Sequence, residues 1–132
     1  MSLISITRMS GQEFAIQIRG HKVTSDMSEG DGGQDQGPSP SELLVGALGA
    51  CIAMMVQLYC DQHGYGDGVV SASVAYELAD GPKLVGAITI DLEIPCDVPE
   101  DRMDAIRRIA KARPVHGTFD VPPIVDVEIL SG

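Results

Sequence analysis

The stretch 39-SPSELLVGALGACIAMMVQLYCDQHG-64 decides how the rest of the chain is read. Ser39 suits a helix N-cap, Pro40 suits the first helical position, and Glu42 completes an S-x-x-E capping box. Gly64 can take the left-handed conformation just past a helix end. The helix between, Pro40 to His63, would be roughly 36 Å long. From Leu43 to Val56 it carries no polar side chain except the thiol of Cys51. A helix apolar all round belongs in a core, so this element is expected to be buried on every side.

Outward from that helix, the N-terminal side reads as strands. Phe14, Ile16 and Ile18 alternate with Ala15, Gln17 and Arg19, the period of a half-buried strand. Turns at Gly11-Gln12 and Gly20-His21 would make ISITRM, EFAIQIR and HKVTSD an antiparallel meander. Residues 26–37, DMSEGDGGQDQG, hold four glycines and four acids and no large apolar side chain except Met27. They read as a surface loop, with a lid as the alternative.

On the C-terminal side, Val70, Ala72, Val74, Tyr76 and Leu78 share one strand face. Leu84, Ile88, Ile90, Leu92 and Ile94 share another, interrupted at Gly86. Ala79-Asp80-Gly81-Pro82 supplies turn chemistry, so a hairpin is expected. A second helix should begin near Asp97–Pro99, with Asp97 and Glu100 as a second capping box, and run to Ala112. Its apolar stripe is Met103, Ile106, Ile109 and Ala110, and Arg113-Pro114 should stop it. VHGTFD suggests a turn or short helix before a last strand at Ile124–Leu130. The order β-β-β-α-β-β-α-β gives an α+β fold in a single domain, 1–132, with antiparallel strands around a long buried helix and no internal repeat. Such a chain has few elements with which to surround that helix. Gly46/Ala50 and Gly49/Ala53 place small residues four apart, where another helix could approach closely. A homodimer with packed central helices is the expectation.

The 132 residues carry 19 acidic and 9 basic side chains, a formal charge of −10. That balance argues against nucleic acid or an anionic membrane as partner, since both require a basic patch. The apolar run covers 14 residues, or 18 if extended to Cys60, short of the roughly 20 that span a bilayer. MSLISITRMSG lacks the charged and apolar regions of a signal peptide. Three cysteines without a secretory signal read as the reduced thiols of a cytoplasmic protein.

Cys51 and Cys60 lie nine residues apart, about 13.5 Å of helical rise and on opposite faces, so they cannot bridge while the helix is intact. Apolar surroundings at mid-helix would raise the Cys51 pKa and make it a structural cysteine. Reactivity would require a cation, for which Arg19 is the best-placed candidate; its plainer role is a solvated strand arginine. Cys60 and His63 form C-x-x-H at the helix end, but nothing supplies a second ligand pair, and no metal is expected. Cys96 is isolated. His116, after a proline, is an active-site candidate or an exposed ring. No P-loop, dinucleotide fingerprint, nucleophile elbow or zincin motif occurs, so no cofactor is expected.

IRGHKVTSD, GGQDQGPSPSELLVGALGAC and ARPVHGTF, in that order, resemble the OsmC/Ohr family, the osmotically inducible and organic hydroperoxide resistance proteins. The likeness is greater to its broad OsmC-like branch. The resemblance implies an intertwined homodimer with the long helices at its centre. It also implies peroxidase chemistry: a helix cysteine attacks a small hydroperoxide, and its sulfenic acid condenses with a second cysteine. An external dithiol then reduces the disulfide, and an arginine and a glutamate activate the first thiolate. By position Cys51 resembles the peroxidatic cysteine. Arg19 or Arg113 would be the activating arginine. Ser41 stands where the family has its glutamate, with Glu42 beside it, and Arg113 stands where the family has its resolving cysteine. Three functions follow as expectations: a thiol peroxidase with Cys51 resolved by Cys60, Cys96 or an external thiol; a one-cysteine redox sensor or a protein that has lost the peroxidase cycle; or a binder of a small apolar ligand at the dimer interface.

Overall fold

The computed structural model describes residues 3–79, 84–111 and 114–131. The chain forms two compact units, Met1–Gly46 and Ala47–Gly132, and both combine helix with antiparallel strands.

In the first unit, β1 (Ile4–Ser10), β2 (Glu13–Ile18) and β3 (His21–Ser25) form the expected meander, in the order β1-β2-β3. Ile16 pairs with Ile6 on one side and Val23 on the other. Arg19 departs from expectation. β2 ends at Ile18, which pairs with His21, so Arg19 occupies the tip of the β2–β3 turn with φ 54°. A two-residue turn requires special backbone angles there, and Arg19 rather than its glycine neighbour supplies the left-handed one.

Residues 26–37 are neither lid nor loose linker. Asp26 is 2% exposed. Its carboxylate accepts the backbone N–H groups of Met27, Gln34 and Gln36 at 2.7, 3.3 and 3.1 Å. Its own N–H donates to the Pro38 carbonyl at 3.2 Å. Two glycines are required by close approach. A Cβ on Gly33 would lie 2.0 Å from the Met27 carbonyl oxygen, and one on Gly37 2.4 Å from that of Thr24. The loop therefore delivers Ser39 in a fixed position to start the long helix.

That helix, α1 (Pro40–Gln62), begins as its capping residues dictate. Ser39 Oγ accepts the Glu42 N–H at 3.2 Å, and Glu42 Oε1 accepts the Ser39 N–H at 2.8 Å. It ends one residue earlier than expected, in a Schellman motif. Gly64, at φ 65°, donates to Asp61 O, and Tyr65 donates to Cys60 O, which satisfies carbonyls the helix leaves open. Tyr65 also meets Tyr59 edge-on, with ring centroids 6.0 Å apart.

In the second unit, β4 (Ser71–Ala79) and β5 (Leu84–Glu93) form the expected hairpin. The turn residues 80–83 lie outside the described residues. Leu78 and Leu84 are exposed, contrary to the alternation read from sequence. Glu77 pairs with Ala87 and Leu78 with Val85, so Gly86 is an extra residue that shifts the phase of the strand end. α2 (Met103–Lys111) follows a short 3-10 turn at Glu100–Arg102. Pro99, without a side-chain cap, precedes that turn, so Asp97 and Glu100 do not form the second capping box. Ile106 is buried, and Met103, Ile109 and Ala110 are half-buried, as the stripe predicts. VHGTFD lies within a short helix, α3 (Pro114–Asp120). The last strand is absent: Ile124–Leu130 pair with no strand among the described residues, and Ile124 is 92% exposed. An alternating apolar sequence forms a strand only where an edge is available to it.

The core of this unit joins Leu48, Ile52, Val56 and Cys60 of α1 with Val70 and Ile106, and Ile88, Ile90 and Leu92 pack against them.

Candidate functional site

The packing fixes which face of α1 is buried, something its uniform composition conceals. Leu48, Ile52, Val56 and Cys60 point into the core at spacing four. Ala47, Ala50, Met54 and Leu58 lie on the opposite side and are exposed, with Met54 67% exposed. Among the described residues, the helix is thus covered on one side, not on every side. Gly49 lies against β4, where a Cβ would come 2.6 Å from Val74 Cγ2, whereas Gly46 has open space. Of the two small-residue pairs, Gly46/Ala50 remains free for a second helix.

Cys51 belongs to the uncovered face. At about 100° per residue it lies roughly 40° from Ala47 and 180° from Cys60. Its thiol is free and half-buried. The buried thiol expected at Cys51 is instead Cys60. Burial, then a hydrogen bond with the Cys96 thiol, pushes Cys60 up to about 11. Sequence spacing gave no sign of that pairing, because it depends on the hairpin returning residue 96 to the end of α1.

Glu42 is occupied in the helix cap by its bond to Ser39. Arg19 is exposed at its turn in the first unit, whereas Cys51 is in the second. Arg113 lies outside the described residues. His63 donates through Nδ1 to Tyr59 O at 2.9 Å and stacks on the Tyr59 ring at 4.0 Å, so it closes the helix end. Among the described residues, no three His, Cys, Asp or Glu side chains gather as a metal site.

His116 lies on α3 rather than in a turn and lines a cavity of about 490 Å3. Leu48, Ile52, Ile88, Ile90 and Phe119 make its walls apolar, and Lys111 contributes a cation. His116 Nε2 stands 3.9 Å from Asp120 Oδ2, and Nδ1 is buried without a partner among the described residues. Sequence reading missed this cavity, which needs α1, β5, α2 and α3 together. It also missed Asp26 and Gln57. The Gln57 amide donates to Gly68 O at 3.3 Å and accepts the Val70 N–H at 2.7 Å.

A family model described as OsmC-like protein matches residues 32–128. No curated protein matches the chain. Solved structures of low sequence identity share its fold. A protein from Psychrobacter arcticus 273-4, named for osmotic stress induction and detoxification response, is 16% identical with a TM-score of 0.80. The match covers 89% of this chain and 88% of that one. An OsmC-like protein from Mycoplasma pneumoniae is 17% identical with a TM-score of 0.77, over 92% and 89% of the two chains. The organic hydroperoxide resistance protein OsmC of Legionella pneumophila is 14% identical with a TM-score of 0.65, over 92% and 90%.

Proposed function

The chain belongs to the OsmC-like protein family, and from that premise we propose that it reduces organic hydroperoxides through Cys51, as a homodimer whose central helices meet. The observation that carries this function is the position of Cys51. Its half-buried thiol lies on the face of α1 that the described residues leave uncovered. A second copy would cover Met54 and Leu58, bring Gly46 and Ala50 against another helix, and close an apolar site around the thiol. Exposed Ile4 and Ile6 on β1, and the unpaired residues Ile124–Leu130, favour an intertwined partner. Related folds include a protein named for organic hydroperoxide resistance.

In the reaction, the Cys51 thiolate attacks the peroxide oxygen, breaks the O–O bond, and leaves a sulfenic acid and an alcohol. Neither Cys60 nor Cys96 resolves that acid. Cys60 lies on the far side of the helix, and Cys96 packs against the buried cluster that holds it. External thiols complete the cycle: the first condenses with the sulfenic acid and releases water, and the second regenerates Cys51 and leaves as a disulfide. Arg19 or Arg113 would supply the cation that favours the thiolate, in a cytoplasmic protein with a reducing thiol pool.

The test is dithiol-coupled consumption of cumene hydroperoxide. Wild type should turn over, and Cys51→Ser should lose at least 99% of the rate, about the 2.7 kcal/mol of two decades. Full activity in Cys51→Ser would overturn the proposal. The apolar cavity favours a second function, binding of a small apolar ligand with a polar end near His116 and Lys111. That function predicts thermal stabilisation by such ligands that is unchanged in Cys51→Ser and lost in Ile90→Trp.

A further inference from the structure

We propose that Cys60 and Cys96 form a second redox-active dithiol, separate from Cys51, which closes to a disulfide under oxidation and ties the end of α1 to the segment after β5. Cys96 packs against the buried cluster that contains Cys60, and its proximity is one of the causes that raise the Cys60 pKa. Their backbones are fixed on either side of the contact. On one side, the Tyr65 N–H donates to Cys60 O at 3.1 Å, within the Schellman motif. On the other, Asp97 N–H donates to Tyr65 O at 2.7 Å, and the Cys96 thiol is 3.4 Å from the Gly68 carbonyl. Gly68 lies so close to this segment that a Cβ there would be 2.7 Å from the Pro95 carbonyl carbon. The Gln57 amide holds Gly68 from the helix side. A disulfide requires the two Cα atoms to lie within about 7 Å, and these backbone contacts gather both residues at one junction.

The exposures assign an order to the chemistry. Cys60 is 0% exposed, whereas Cys96 is half-buried, so an oxidant meets Cys96 first. The Cys96 thiolate attacks an organic hydroperoxide, takes one oxygen as a sulfenic acid and releases the alcohol. The Cys60 sulfur then attacks the Cys96 sulfur and displaces water. Two thiols and one hydroperoxide thus give one disulfide, one alcohol and one water, with two electrons passing from the sulfurs to the peroxide. Diamide would take the same two electrons directly.

The test uses the full chain with Cys51→Ser, which removes the other thiol. Among the lysines and arginines, none lies between Lys22 and Lys83 or between Lys83 and Arg102. Tryptic peptides 23–83 and 84–102 therefore each carry one remaining cysteine. The reduced protein is exposed to excess diamide and, separately, to cumene hydroperoxide, then alkylated after unfolding and digested without reductant. The expected result is a linked peptide pair, a protein lighter by two hydrogen atoms, and a melting temperature raised on the order of 5–10 °C. The linkage should vanish on treatment with dithiothreitol. The proposal is overturned if both cysteines remain alkylatable, or if Cys96 accumulates as sulfinic acid while Cys60 stays free. Because Cys51 is absent, failure here is independent of any peroxidase activity of the wild type.

Discussion

The carboxylate of Asp26 reaches ten residues along the chain to the backbone N–H of Gln36, 3.1 Å away, and so organises the glycine-rich loop that leads into the long helix. Burial raises its pKa, but the N–H groups of Gln36, Met27 and Gln34 outweigh burial and hold it below its ordinary value of 3.8. A carboxyl depressed on folding contributes stability above its unfolded pKa and loses it as pH falls through the folded one. Asp26→Asn should therefore lower the melting temperature at pH 7 by roughly 5 °C or more. It should also flatten the loss of stability below pH 3.8, and expose residues 26–37 to proteolysis. Thermal melts from pH 2 to 7 check this; a variant with the wild-type acid profile would refute it.

The helix start offers a smaller effect with a clear mechanism. Ser39→Ala removes the acceptor of the Glu42 N–H and half of a reciprocal cap. The expected cost is about 1 kcal/mol, a few degrees in melting temperature. Ser39→Asp, which preserves an acceptor, should recover most of it in denaturant titrations.

These two sites show what sequence could and could not reveal. The cap was legible because Ser39, Pro40 and Glu42 interact within one turn. The sheet and hairpin were legible because side chains alternate locally. Asp26 was not, since its partners become neighbours only when the loop closes. The buried face of α1 was hidden for a different reason: apolar side chains occur all round it, so periodicity carries no phase. Packing chose Cys60 for the interior and Cys51 for the uncovered face. Gly86 shifted the strand ends by adding a residue to one side of the ladder, and Ile124–Leu130 found no edge to join among the described residues.

Burial, together with the hydrogen bond to Cys96, moves the Cys60 thiol from 9.0 to about 11. For an acid raised on folding, the unfolded chain ionises first. Its stabilising contribution is intact below pH 9 and disappears between pH 9 and about 11. Cys51→Ser alone should thus lose stability over that interval more steeply than the double variant Cys51→Ser/Cys60→Ser. Denaturant midpoints at pH 8 and 10.5 measure the difference, and equal losses would contradict the assignment. The same thiol should make disulfide formation with Cys96 faster as pH rises, because the attacking sulfur is the thiolate.

Met54 tests the assembly on which the proposed active site depends. It is 67% exposed, so Met54→Asp removes little packing from the single chain and should leave its helix content unchanged. In a dimer joined along this face, the same substitution would bury a charge beside Leu58 with no basic side chain nearby on the exposed stripe. Burial of an unpaired carboxylate costs several kcal/mol, enough to shift a micromolar dimer to monomer. Sedimentation should show a wild-type dimer and a Met54→Asp monomer, with hydroperoxide turnover falling alongside because the Cys51 thiol loses its cover. A wild-type monomer would eliminate the interface. A variant that remains dimeric would place the interface elsewhere and leave the apolar face of α1 without its proposed partner.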